Sequence, residues 1–283
     1  ESVIVDFVRP RRKPSPLAEA MIVGVAIGLC LKGFKPICEM QFDGFSYQAF
    51  HQVEGHVRRL RNRTRGRLHC PLVFRAPFGG GIRAPEHHSE STEALFSHIP
   101  GLQVVIPSSP KRAYGLLLAA IRSPDPVIFL EPKRIYRLVK QTVDDDGQAL
   151  PIGKCFTLQE GTDVTLISWG ASLHETTQAA KDLASDGISC EVIDVATLKP
   201  LDIETLICSV QKTGRCVIIH EGAKTGGFGA EISAQLMEHC LSDLLAPVQR
   251  VTGYDVVMPY FQLEKLYIPS VQRIKDSVLS IME

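Results

Sequence analysis

Short, continuous apolar segments alternate with helix-forming segments along almost the whole chain, and this alternation limits the fold more than any other feature. Segments 102–107, 127–130 and 164–169 are rich in aliphatic residues and show no regular polar face. Strands of this kind are typical of parallel sheets that helices cover on both sides. We therefore predict an α/β fold of two domains, each built on a mainly parallel sheet.

The composition changes after residue 131, which marks the predicted junction between the domains. The acidic run 144–147 ends in glycine and reads as a solvated turn. We predict a first domain over residues 1–140, a linker over 141–160 and a second domain over 161–283. Ligands in such folds bind at the carboxyl ends of the strands, so the loops there are expected to carry the chemistry.

Charge and cysteine content exclude several classes of protein. The 31 basic residues balance the 31 acidic ones, which argues against nucleic acid or an acidic membrane surface as a partner. The 8 cysteines are scattered without a C-x-x-C pair, which predicts buried thiols in a reducing compartment and not a secreted protein. The apolar run 20–31 is too short to span a bilayer.

Glu19 is a lone carboxylate at the start of an otherwise apolar helical segment, 17–31. Apolar surroundings raise the pKa of a carboxyl group, and proteins use such groups as acids and bases near neutral pH. The alternative is a glutamate that complements the helix dipole in the first turn, with Pro16 at the helix start. The residue alone leaves both interpretations open.

Three further segments contain candidate functional residues: 39–45, with Gln41 and Phe45, the glycine-rich loop 78–83, and 86–91. Three consecutive glycines indicate a backbone that a ligand or another chain approaches closely. The loop lacks the Gly-Lys-Ser/Thr of a phosphate-binding P-loop and is not a Rossmann fingerprint. The adjacent histidines at 87 and 88 suit proton transfer better than a metal site, since no further ligands lie at suitable spacing.

A series of ordered motifs extends these segments from about residue 16 to the C-terminus. They lie at 16–24, 39–50, 79–83, 88–94, 98–101, 104–108, 129–136, 198–202, 220–221, 226–228 and 253–255. Together they resemble the β subunits of 2-oxo acid dehydrogenase E1 components, which depend on thiamine diphosphate and form α2β2 assemblies. The resemblance implies a transketolase-like pyrimidine-binding domain followed by a transketolase C-terminal-like domain.

The resemblance also implies a role for each matched residue. Glu19 would hydrogen-bond the aminopyrimidine N1′ of thiamine diphosphate and favour the tautomer whose nitrogen removes the thiazolium C2 proton. Gln41 and Phe45 would line the pyrimidine pocket, and Leu17 is assigned to cofactor binding with them. His88 would lie over the reacting centre and assist acyl transfer to a lipoyl group.

The metal requirements divide between this chain and a partner. The resemblance implies a structural potassium site near Gly101, Leu102, Val104 and Asp125. Magnesium at the diphosphate needs the hard oxygen ligands of a Gly-Asp-Gly…Asn motif. The chain has no such motif, and Asn62 is its only asparagine. We therefore expect the E1 α subunit to hold Mg2+ and the diphosphate.

The leading hypothesis is the β subunit of a heterotetrameric E1 that decarboxylates a branched-chain 2-oxo acid and acylates the lipoyl group of the E2 acyltransferase. Segments 63–66, 87–89 and 130–134 resemble the branched-chain enzymes more than the pyruvate enzymes. The alternatives are a pyruvate or acetoin dehydrogenase E1 β subunit, another transketolase-like enzyme, and a non-catalytic assembly subunit of the same fold. The resemblance implies the bacterial cytoplasm or the mitochondrial matrix.

Two expectations concern the ends of the chain. Family members normally carry another strand and helix before the segment 16–24, and this chain begins with Glu1, so we expect the first domain to be N-terminally incomplete. The second domain is expected to dock E2 and to contribute to the contact between β subunits.

Overall fold

Four strands of the N-terminal half form most of the first sheet. The computed structural model describes residues 18–283. The helices and strands of this half are α1 (Glu19–Leu31), β1 (Ile37–Glu39), α2 (Ser46–Gly55), α3 (Leu60–Arg63), β2 (Val73–Phe78), α4 (Glu93–His98), β3 (Gln103–Val105), α5 (Pro110–Arg122) and β4 (Val127–Pro132). The strands pair in parallel in the order β1-β2-β4-β3.

A second sheet is built from the C-terminal half of the chain. The elements of this half are β5 (Phe156–Gln159), β6 (Val164–Ser168), α6 (Leu173–Ser185), β7 (Cys190–Asp194), β8 (Thr197–Lys199), α7 (Ile203–Thr213), β9 (Cys216–Ile219), α8 (Phe228–Cys240), β10 (Gln249–Val251), α9 (Glu264–Tyr267) and α10 (Val271–Met282). The sheet order is β10-β9-β6-β7-β5, with only the β5 edge antiparallel among the described residues. The predicted α/β fold with two mainly parallel sheets is confirmed.

The chain passes directly from the second sheet to the first. Only Val195 and Ala196 separate the end of β7 from β8, which pairs antiparallel with β3 as the outer strand of the first sheet. Ala196 adopts φ +46°, and its carbonyl accepts a hydrogen bond from the Ile106 amide at 2.8 Å. The β8 strand covers the free backbone groups along β3. The two domains are therefore joined by backbone pairing as well as by their linker.

Apolar packing is continuous across this junction. One core cluster holds residues of both domains, among them Phe74, Phe96, Ile167 and Leu206, and none of these four side chains is exposed. A second cluster lies between the first sheet and α5, and a third between the second sheet and the helices α6 and α10. Burial of this kind fixes each sheet on both faces, as parallel sheets require.

Removing apolar volume from the outer layer of the second domain should lower its stability strongly. Leu183 of α6 is fully buried in the third cluster, and we expect Leu183→Ala to cost about 2–5 kcal/mol of unfolding free energy. The matched control is Leu279→Ala on α10, because that side chain is 42% exposed and should change stability by roughly 0.5 kcal/mol or less. Urea unfolding measures both, and equal losses would contradict the placement of Leu183.

Candidate active site

The candidate site is formed by loops that follow the carboxyl ends of strands in both sheets. Gln41 lies just after β1, and residues 79–83, the glycine loop, follow β2. Lys133 follows β4. From the second sheet, Glu221 follows β9, and its carboxylate accepts a hydrogen bond from the Gly80 amide. The carboxyl ends of the two sheets therefore meet, which is where parallel sheets bind ligands.

An aromatic cluster surrounds His88. The ring of Phe42 lies 4.2 Å from the His88 ring and the ring of Phe45 lies 5.6 Å from it, both edge to face. Such contacts limit the orientations that the imidazole can adopt. His88 Nδ1 is buried and has no hydrogen-bond partner among the described residues, so its hydrogen-bonding capacity remains unused. Two predicted site residues, Phe45 and His88, are thus in contact.

Asp43 holds the turn that carries these phenyl rings. Its side chain is fully buried and accepts hydrogen bonds from the Thr92 hydroxyl at 2.7 Å and from the Ser46 hydroxyl at 3.3 Å. Burial raises the pKa of Asp43 to about 7, although the hydrogen bonds from Thr92 act in the opposite direction. Because Thr92 directly precedes α4, the turn is tied to that helix.

Lys133 fixes the backbone of His88 and was given no role by the sequence analysis. Its Nζ donates a hydrogen bond to the His88 carbonyl oxygen at 2.6 Å and lies 5.3 Å from the centre of the Phe42 ring. Lys133 is only 6% exposed, and burial lowers its pKa to about 8 against the raising effect of nearby carboxylates such as Asp43. The sequence feature that could have identified Lys133 is its position directly after an apolar strand of the parallel sheet. Phe42 was likewise missed.

Glu19 is the first residue of α1, and its side chain is 5% exposed. No hydrogen bond or ion pair joins its carboxylate to another residue within 18–283. A buried carboxylate without a donor is unfavourable, so it is the kind of group that a ligand completes. Helix α1 packs against α2, which begins directly after Phe45. This packing is the link that the structure gives between Glu19 and the aromatic cluster.

The other two predicted cofactor contacts are Gln41 and Leu17. Gln41 is exposed and makes no hydrogen bond with the part of the chain that the structure describes. An exposed amide beside the aromatic cluster is available to a ligand. Leu17 lies outside the described residues.

Two further titratable groups lie buried at the domain junction. Glu93 is 1% exposed, and burial raises its pKa to about 8, with the charge of Glu221 adding to the rise. His220 is fully buried and stacks on Trp169 with 5.0 Å between ring centroids. Burial lowers the pKa of His220 to about 4. Near pH 7 both groups therefore favour their uncharged forms.

A potassium site at Gly101, Leu102, Val104 and Asp125 would depend on backbone carbonyl oxygens more than on side chains. Leu102 and Val104 are core side chains that are 3% and 0% exposed, so only their carbonyl oxygens could act as ligands. The Asp125 carboxylate is already paired with Arg61 at 2.6 Å. Gly101 adopts φ +88°. The potassium site stays a prediction.

Metal and membrane criteria give two findings for residues 18–283. No group of three or more His, Cys, Asp or Glu side chains among these residues is arranged to hold a metal ion. No helix among them is both long and apolar enough to cross a membrane.

Comparison with known proteins places this geometry in a family. The transketolase pyrimidine-binding domain matches residues 9–139, and the transketolase C-terminal domain matches residues 153–274. The pyruvate dehydrogenase E1 component subunit beta of Acholeplasma laidlawii is 46% identical over 260 residues, which cover 92% of this chain and 80% of that protein. The 3-methyl-2-oxobutanoate dehydrogenase subunit beta of Mycobacterium tuberculosis is 46% identical over 284 residues, which cover 100% of this chain and 81% of that protein.

A solved structure agrees with the sequence relatives. A split-gene transketolase, named as an inactive beta4 tetramer, matches with a TM-score of 0.83 and 25% identity, covering 99% of this chain and 87% of that one. The resemblance read from the motifs and its two transketolase-type domains are confirmed. The chain belongs to the family of E1 β subunits of 2-oxo acid dehydrogenases.

Proposed function

We propose that this chain is the β subunit of a heterotetrameric 2-oxo acid dehydrogenase E1 that decarboxylates a branched-chain 2-oxo acid on thiamine diphosphate and acylates the lipoyl group of E2. The observation that carries the proposal is Glu19, a carboxylate 5% exposed without a partner among the described residues, in a domain of the pyrimidine-binding type. A buried carboxyl group without a partner is unfavourable, whereas the ring nitrogen N1′ of a bound aminopyrimidine would accept a hydrogen bond from it.

The residues of the site fit the pyrimidine half of thiamine diphosphate. Glu19 would hold the aminopyrimidine, with the exposed amide of Gln41 and the ring of Phe45 beside it and Leu17 as a further contact. The cofactor supplies the nucleophilic carbon and the electron sink for decarboxylation. Glu19 would hold a proton at the pyrimidine nitrogen, and His88 would move a proton while the lipoyl disulfide takes the acyl group on one sulfur and is reduced to a thiol at the other. The rings of Phe42 and Phe45 would shield part of the His88 ring from water.

The diphosphate half of the site is assigned to an E1 α partner, and the exposed apolar surface of α1 supports this. Met21, Val25 and Leu29 follow each other every fourth residue and are 42%, 56% and 40% exposed. A Cβ placed on Gly24 or Gly28 would meet nothing within 4 Å, so another chain can approach this face closely. A stripe of this kind on the helix that begins with Glu19 is typical of an interface.

A second group of exposed apolar residues lies in the segment 254–266. We call it the C-terminal patch, and its residues, all 49% exposed or more, are Tyr254, Val256, Val257, Tyr260, Phe261, Leu263 and Leu266. Exposed apolar residues grouped in this way on a single chain mark contacts with other chains. We assign the C-terminal patch to the α2β2 assembly. The E2 contact is assigned to the second domain.

The named relatives bear on the choice of substrate. Relatives named for pyruvate and for 3-methyl-2-oxobutanoate reach the same 46% identity, so a pyruvate enzyme is the second candidate, with an acetoin enzyme beside it. The split-gene transketolase, an inactive tetramer, favours keeping a non-catalytic assembly subunit as a third. Mg2+ on the α subunit, K+ near Gly101 and domain bounds of 1–140 and 161–283 complete the proposal.

Cofactor binding should depend on the partner subunit. We expect isothermal titration of thiamine diphosphate with Mg2+ into the isolated chain to show no tight binding, because no Gly-Asp-Gly…Asn motif is present. The same titration into the chain assembled with an E1 α subunit should show it. Tight binding by the isolated chain would overturn the shared site.

Glu19→Gln in the assembled enzyme should lower the decarboxylation rate by about 10²–10⁴-fold, because an amide cannot exchange the proton that the pyrimidine requires. The matched control is Glu238→Gln on α8, an exposed glutamate without a hydrogen bond among the described residues.

Decarboxylation rates of the unmodified assembled enzyme with pyruvate and with 3-methyl-2-oxobutanoate decide between the first two candidates. An unchanged rate for Glu19→Gln would leave the non-catalytic subunit as the better interpretation.

His88→Asn should separate the two half-reactions. We expect acylation of a lipoyl domain to fall by about 10²-fold, while decarboxylation followed with an artificial electron acceptor falls by less than about tenfold. His98→Asn is the control, since this histidine is exposed at the end of α4. Equal losses in both assays would refute a specific role for His88 in acyl transfer.

A further inference from the structure

The glycine loop directs its backbone N–H groups at two carboxylates of the second domain. The Gly81 amide donates to Glu264 Oε1 at 2.7 Å, and the Arg83 amide donates to Glu264 Oε2 at 3.2 Å. The Gly80 amide donates to Glu221. Three amides of one loop therefore donate to two glutamates of the second domain: Glu264 is the first residue of α9, and Glu221 follows β9.

The loop conformation makes this convergence of amides possible. Gly81 has φ +82° and Arg83 has φ +61°, and left-handed residues in such a run turn successive N–H groups toward one concave side. A Cβ on Gly81 would collide with the side chain of Arg134, so the position also lacks room for one. Concave runs of amides bind anions, and here the anions are carboxylates from the other domain.

Both carboxylates depend on these amides. Glu221 is 5% exposed and Glu264 is 4% exposed, so each is largely removed from water. A buried carboxylate is unfavourable unless donors or cations surround it. Neither forms an ion pair with another described residue within 4.0 Å; the neighbouring Arg134 is paired with Glu175 instead. The glycine-loop amides are therefore their main hydrogen-bond donors.

The loop leads directly to His88. The Gly79 amide donates to the Glu90 carbonyl at 2.8 Å, which closes the segment 79–90 into one ring of backbone around the short helical turn Glu86–His88. Lys133 holds the far end of this segment through the His88 carbonyl. The near end is held by the two glutamates. The position of His88 therefore depends on anchors at both ends.

We propose that Glu221 and Glu264 are positioning residues through which the second domain sets the location of His88. They act through the glycine loop and touch no reacting atom. Because the C-terminal patch flanks Glu264 in sequence, contacts made by that patch would reach His88 through the same hydrogen bonds. The inference rests on the proposed role of His88 for its catalytic meaning, whereas the mechanical coupling stands on the hydrogen bonds alone.

Hydrogen exchange of the full chain tests the coupling without any activity. We expect Glu264→Ala to accelerate exchange at the Gly81 and Arg83 amides by about tenfold or more, since each loses a charged acceptor. Amides of β4 should keep their rates, which shows that the fold persists. Glu264→Gln keeps one carbonyl acceptor and should give a smaller effect. Glu238→Ala is the control. Unchanged exchange at both loop amides would overturn the proposal.

Activity of the assembled enzyme then tests the consequence for His88. We expect Glu264→Ala to lower kcat for lipoyl acylation by about tenfold, with decarboxylation measured by an artificial acceptor changed less than about threefold, because a shift of a positioned group affects one step. Glu264→Gln should restore part of the acylation. Equal loss in both assays would contradict positioning. A wild-type assembly without any decarboxylation would refute the proposed function, while the exchange result would still decide the coupling.

Discussion

The meeting of two sheets at their carboxyl ends is the constraint on which the rest of the structure depends. A parallel sheet leaves functional loops at one end only, so a site that uses both sheets requires those ends to face each other. Two features produce this arrangement: the direct passage of the chain from β7 into β8 through Ala196, and the hydrogen bond from Gly80 to Glu221. Because the two ends face each other, the amides of Gly80, Gly81 and Arg83 reach acceptors in the second domain.

Buried charge is handled at this junction in two different ways. Burial raises the pKa of Glu93 to about 8, that of Asp43 to about 7 and that of Glu221 as well, and Glu221 and Glu264 also accept hydrogen bonds from backbone amides. Asp43 keeps hydrogen bonds to Thr92, so it serves as an anchor in either protonation state. Glu19 belongs to neither group, since it has no donor among residues 18–283. This difference is consistent with the proposed role of Glu19 in ligand binding and sets it apart from the carboxylates that hold the scaffold.

Most of the fold could be predicted because its strands are apolar on both faces. The strands expected near 127–130 and 164–169 are β4 and β6, and the site residues Phe45 and His88 are in contact. What could not be predicted depends on tertiary contacts. The strands β5 and β8 are short antiparallel edge strands, too short for a periodic sequence pattern to identify them. The roles of Lys133 and Glu264 depend on hydrogen-bond partners that lie 45 and 183 residues away in sequence.

Trp169 gives this junction an optical signal of its own. It is the only tryptophan of the chain, is 3% exposed and stacks flat on His220, with Phe228 edge-on at 6.1 Å. It also belongs to the core cluster that spans both domains. An indole emits at shorter wavelength in such apolar surroundings than in water, and a stacked imidazole that gains a proton quenches it. Because Trp169 lies in the core cluster that spans both domains, its fluorescence is expected to respond to a change in the contact between the two domains without any label.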